Sequence, residues 1–200
     1  MAKGKSSLRK RLPVILENEE NRLSKKGCLI FSLLFEELKV IDHQVSEQDK
    51  EISILANQDE RCKRLQTIPG VGPITATALV GTIGSGEQFE KGRQLSAYIG
   101  LTPRQSSSGG KERLLGISKK GNCYLRGLFI HGARAVVSVA GAKTDRISCW
   151  IQQLEERKHR NITIVALANK NARMAWAILN QKTTYSPKER NSDLEVALAA

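Results

Sequence analysis

The chain has 200 residues, with 32 Lys and Arg against 20 Asp and Glu, a formal net charge of +12. That length buries one real core, and that charge draws polyanions, nucleic acid first and acidic membrane surface second. The most apolar stretch, Cys28 to Leu34, is too short to span a bilayer. The apolar run a secretory signal needs is broken by Pro13, Glu17, Glu19 and Glu20, so a cytosolic protein with no membrane partner is expected. Cysteines 28, 62, 123 and 149 share no CxxC spacing and predict reduced thiols, with no metal site and no cofactor held by this chain. Aromatic residues make up only 4% of the sequence, which argues against a platform of stacked bases.

In chain order, residues 1–28 read as a lead-in, basic from Lys3 to Arg11 and acidic from Glu17 to Glu20, frayed or briefly helical. From Leu29 to Gln66, Leu34, Leu38, Ile41, Val45, Ile52, Leu55, Cys62 and Leu65 recur in steps of three and four, with Gln48 and Asp59 in the two gaps. The spacing predicts one long helix with a narrow apolar stripe. Such a stripe suits either coiled-coil pairing, which would make a homo-oligomer, or a helix lying on its own domain.

Residues 65–81 have the form helix, Pro-Gly-Val-Gly turn, helix, which predicts a helix-hairpin-helix. Gly70, Val71 and Gly72 would bring bare backbone amides to a DNA phosphate, together with the positive end of the second helix. The alternative is a plain tight turn between packed helices. The phosphate reading predicts that Gly70→Val or Gly72→Val weakens binding to every DNA sequence alike while the helices stay folded.

Next come a helix from Gly92 to Ile99 and a loop to Gly121, then a helix from the N-cap Asn122 to about Ala140. Helices from Arg146 to Arg157 and Thr163 to Leu179 follow, and 181–200 read as a polar tail. Strand signals are almost absent, so the fold class is mainly α, a long helix ahead of a compact helical domain over 67–180. Within the loop, Ser106-Ser107-Ser108-Gly109-Gly110 read alone is a flexible linker. Its enclosure by Arg104, Lys111, Arg113, Lys119 and Lys120, with Arg126 on the next helix, instead suggests a loop that holds phosphates. A serine there could attack a phosphodiester and keep the DNA end as a phosphoserine ester. His131 on the next helix is more simply a packed or hydrogen-bonded residue than a catalyst.

The succession of Ile68-Pro-Gly-Val-Gly-Pro, Phe89, Leu95-Ser-Ala-Tyr-Ile-Gly-Leu-Thr-Pro-Arg104, Ser108-Gly109-Gly110, Ile117-Ser-Lys-Lys-Gly121 and Leu125-Arg126 resembles the C-terminal domain of the IS-one-ten family of insertion-sequence transposases. These are the bridge-RNA-guided DNA recombinases. The resemblance implies an insertion-sequence transposase acting on DNA, with a guide RNA as a further partner and a nucleoid-associated place in the cytoplasm. It also implies that Ser108 in the serine loop (102–113) is the nucleophile, with a shift of one within the serine run left open. Family members carry Mg²⁺ on an N-terminal ribonuclease-H-like domain that has no counterpart here. An N-terminally shortened or split form is therefore expected, or else a non-catalytic DNA-binding accessory.

Overall fold

A computed structural model of the chain describes residues 4–18, 23–106 and 113–186. It divides into two compact units, 1–51 and 52–200. Two helices, α1 (Lys5–Glu17) and α2 (Lys25–Gln58), account for the first, and α2 continues past its boundary. The lead-in is thus helical over most of its length. Arg9 of α1 holds Asp42 of α2 in a forked pair, Nε to Oδ2 at 2.6 Å and Nη2 to Oδ1 at 2.5 Å. On α2 the stripe residues Leu34, Ile41, Val45 and Leu55 are exposed.

The single long helix expected to reach Gln66 breaks at Asp59. Asp59 takes an extended conformation and its carboxylate accepts the Arg61 amide, capping a new helix, α3 (Glu60–Gln66). Cys62 and Leu65, read as the end of the stripe, lie instead at 2% and 0% exposure in the core of the second unit. An aspartate able to cap is the physical reason, since it satisfies the amides that a break in the helix exposes.

The second unit continues with α4 (Pro73–Ile83), α5 (Gly92–Ile99), α6 (Cys123–Val139), α7 (Arg146–Glu155) and α8 (Arg160–Gln181). Its architecture is mainly α. Helix α8 packs against α3, α5, α6 and α7. Its buried face carries Ile164, Leu167, Ala168, Ala172, Ala175, Ile178 and Leu179, and the alanines let the neighbouring helices approach closely. Phe129, Leu125, Leu95, Ile99, Leu79 and Ile151 complete the core. All four cysteines are free, with Cys62 buried and Cys123 exposed. Burial pushes the Cys62 thiol up from its ordinary value.

The stretch expected to be loop from Gly100 to Gly121 contains two short strands, β1 (Pro103–Gln105) and β2 (Leu114–Ile117). They pair antiparallel, with Pro103 opposite Ile117 and Gln105 opposite Leu114, and the register shifts between them. Strands of three and four residues are too short to show the alternation by which a strand is read from sequence.

The helix starts follow side-chain chemistry. Asn122 Oδ1 accepts the Leu125 amide at 3.0 Å, and Asp145 accepts the amides of Ile147 and Ser148 as well as the Ser148 hydroxyl at 2.6 Å. The Ser148 hydroxyl, foremost, holds the Asp145 carboxyl below the usual carboxylate range. A depressed carboxylate contributes stability that is present above its unfolded pKa and lost as pH falls through the lower folded value. Asp145→Ala should therefore cost about 1 kcal/mol at neutral pH. Chemical denaturation at successively lower pH should show that difference shrink below about pH 4.

Candidate nucleic-acid interface

Helix α3 ends at Thr67, and the chain turns through Ile68 to Gly72 before α4 begins at Pro73. Gly70 has φ +87°, a conformation that favours glycine. A Cβ on Gly70 would lie 2.7 Å from the Gly132 carbonyl oxygen of α6, and a Cβ on Gly132 would lie 1.8 Å from the Gly70 carbonyl oxygen. The glycine at 70 is thus required where one backbone rests on another. From α8, the buried Asn171 donates its Nδ2–H to the Pro69 carbonyl at 2.8 Å.

This seating redistributes the groups expected to meet a phosphate. The Val71 side chain is 4% exposed and its amide donates to Ile68 O at 3.0 Å, so Val71 offers little to the surface. Gly72 is exposed, in extended backbone, with open space where a Cβ would be. Gly72 and the first turn of α4 are the face of the turn that remains available to an anion. The expectation that Gly70→Val would leave the helices folded is overturned, because that side chain has no room against Gly132 and Val136.

The hairpin β1–β2 rises from a narrow neck. Gly100, at φ +79°, and Gly121, at φ +97°, sit where a Cβ would lie 2.1 Å from Lys120 O and 2.0 Å from Tyr98 O, respectively. The amides of Lys119 and Asn122 donate across the neck to Gly100 O and Tyr98 O at 3.2 and 3.0 Å, and Ser118 donates to Thr102 O at 2.8 Å. At the far end, Ser106 donates its amide to Arg113 O at 2.9 Å. Residues 107–112 connect these two, so the expected nucleophile Ser108 and the expected phosphate holder Lys111 lie outside the described residues.

Arg104, Arg113, Lys119 and Lys120 are all exposed. Arg104 and Lys119 line one groove of about 960 Å³ between the hairpin and α8, with Leu115 and Ile117 on one side and Ile162 and Val165 on the other. Among the described residues no acidic side chain lines it. Arg126 is drawn inward, where its Nη1–H donates to Ile99 O at 3.1 Å and caps the carbonyl end of α5. The Lys120 backbone carbonyl and the Arg126 guanidinium thus both lie beside Gly100 at the end of α5, while the Gly70 turn touches α6 six residues beyond Arg126, roughly 9 Å along the helix axis.

Sequence reasoning missed the α8 wall of the groove. Asn161 and Asn169 line it, and Asn169 Nδ2 donates to Leu101 O at 3.0 Å, fastening α8 to the start of the hairpin. The sequence signal was Asn161 and Asn169, polar residues bordering the mostly apolar run from Ile162 to Ala168. Among the described residues no group of three or more His, Cys, Asp or Glu side chains is placed to hold a metal ion. No described helix is long and apolar enough to cross a membrane.

Comparison with known proteins places this arrangement. Across 92% of its length the chain is 45% identical to the transposase for insertion sequence element IS1111A of Coxiella burnetii, covering 51% of that protein. It is 40% identical, again over 92% of its length, to a probable family 20 transposase of Pseudomonas aeruginosa, covering 55% of it. Over 74% of its length it is 27% identical to the pilin gene-inverting protein of Moraxella bovis, covering 45% of that protein. The chain thus spans about half the length of the curated relatives it matches. Residues 62–147, from Cys62 in α3 to the first turn of α7, match the family model described as Transposase IS116/IS110/IS902 family, and 92% of the chain aligns with the two transposases named above.

Proposed function

We propose that the chain binds DNA and acts in the transposition of an insertion sequence, with Ser108 as the nucleophile. The observation that carries this reading is the hairpin whose stem places Arg104 and Lys119 in one groove with no acidic side chain among the described residues, the serine run joining its strands in sequence. Ser108 Oγ forms a bond to a backbone phosphorus as the bond from phosphorus to one DNA oxygen breaks. The serine gives up its proton, the departing oxygen gains one, and the DNA end is kept as a phosphoserine ester. Arg104, Lys111 and Arg113 hold the charge that builds on the phosphoryl oxygens. Gly72 and the start of α4 grip a second phosphate, as in a helix-hairpin-helix, and fix the duplex without reading its sequence.

The uncovered stripe Leu34, Ile41 and Val45 of α2 supports pairing with a second copy as a coiled coil. The same reading includes a guide RNA as a further partner and a nucleoid-associated place in the cytoplasm. Titration of duplex DNA at several salt concentrations tests the binding surface. Arg104→Gln and Lys119→Gln should each lower affinity for all sequences alike and reduce the slope of log K against log salt by about 0.9. A slope equal to the parent's in both variants would remove the groove from the interface.

A further inference from the structure

A sequence this poor in aromatic residues makes no row of stacking rings, yet the fold brings both of its tryptophans to one place. Trp150 of α7 and Trp176 of α8 line a cavity of about 660 Å³ together with Lys91, Arg93, Lys170 and Arg173. That volume is within the roughly 300–1,000 Å³ of ligand pockets. Among the described residues no acidic side chain lines it. Trp176 Nε1–H donates to Phe89 O at 2.8 Å, which fixes its ring, and Lys170 Nζ stands 4.5 Å from the centre of the Trp150 ring. Helix α5 opens beside them, its first turn without a side-chain cap, and Gly92 lies against the backbone of Arg173.

We propose that this cavity takes one unpaired nucleotide of a nucleic-acid strand, the base against the tryptophans and the phosphate among the cations. Burial, and next the guanidiniums of Arg146 and Arg173, hold the Lys170 ammonium below the usual lysine range. Cations crowded in this way gain from an anion between them. A duplex keeps its base faces stacked inside, so half-buried rings that line a cavity meet only a base that has left the stack. Ala166 and Asn169 line both this cavity and the groove under the hairpin, so a strand can pass from one to the other across α8. The ligand class rests on the nucleic-acid reading above, whereas the pocket requires no strand cleavage.

Because both tryptophans of the chain line the cavity, their fluorescence reports its occupation. The full chain is titrated with a short single-stranded oligodeoxynucleotide, its ribo counterpart, an abasic strand of equal length and a duplex, following tryptophan emission and anisotropy together. The base-bearing single strands should quench the emission, and the abasic strand should bind about tenfold more weakly without quenching. Lys170→Gln with Arg173→Gln should weaken single-strand binding by about tenfold at equal salt while circular dichroism is unchanged. Should the pair unfold the protein, Arg173→Gln alone, on an exposed side chain, should weaken it about threefold. A preference for deoxy- or ribo-strand names the source of the nucleotide and keeps the pocket. Equal quenching by the abasic strand, binding without quenching, or a folded variant that binds like the parent would overturn it. Duplex affinity, read by anisotropy in the same series, fails separately if the DNA-binding surface is wrong.

Discussion

Alanine at position 132 should cost the helical domain about 3 kcal/mol or more, lowering its melting temperature by about 6–12 °C. The added Cβ would meet the Gly70 carbonyl oxygen at 1.8 Å, a separation that no rotamer can relieve because both partners are backbone. Neither side can easily yield. On α6, Phe129 and Ala133 are buried on either side of Gly132, and the turn is held by buried Ile68 and Val71 and by Asn171. Thermal unfolding followed by circular dichroism measures the effect. Gly72→Val is the control, with an extended backbone and open space, and should cost no more than about 1 kcal/mol, that of a poorer N-cap, while weakening duplex binding. A Gly132→Ala protein that melts with the parent would mean that the turn and α6 are not in backbone contact.

Replacement of Ser108 by alanine should abolish any covalent protein–DNA adduct, a loss of at least about 10⁴-fold in rate if the hydroxyl is the nucleophile. The parent chain is incubated with donor and target DNA of the family type, with and without a separately supplied acidic metal-binding domain, and the adduct is scored on a denaturing gel. Ser106→Ala and Ser107→Ala should keep it. Ser106 is exposed at the end of β1, with its amide bound to Arg113 O, so its side chain can be cut back without loosening the stem. Loss of the adduct in Ser107→Ala and its survival in Ser108→Ala would move the nucleophile by one. A parent that binds DNA and forms no adduct even with the supplied domain would be an accessory binder.

Much of the helical frame was legible from sequence because its ends are chemical. Asn122 and Gly100 mark the limits of α6 and α5 by side-chain capping and by the left-handed backbone glycine allows. The break between α2 and α3 was not legible, since Cys62 and Leu65 continue the three-four spacing from Leu55 across it. Periodicity sees which face a residue shares and not whether the axis is continuous, and the clue was Asp59, a capping residue sitting in the stripe. At the turn, the glycine pattern allows two uses that sequence does not separate, approach to an anion and approach to another helix. Gly70 serves the second, and Gly72 is free for the first. The tryptophan cavity was hidden for a different reason. Residues 91–93, 150 and 170–176 converge only because α5 and α7 both pack on α8, which is long-range information.

The neck at Gly100 and Gly121 has a consequence for how the hairpin can change. Its two chains touch backbone to backbone, and the amides of Lys119 and Asn122 close the ring, so the ends of the excursion from Leu101 to Lys120 are already fixed together. Lengthening the segment between the strands then adds little loop-closure entropy, about 0.6 kcal/mol for each doubling. The stability of the helical core and the stem is thereby insulated from the length of the segment that joins the strands.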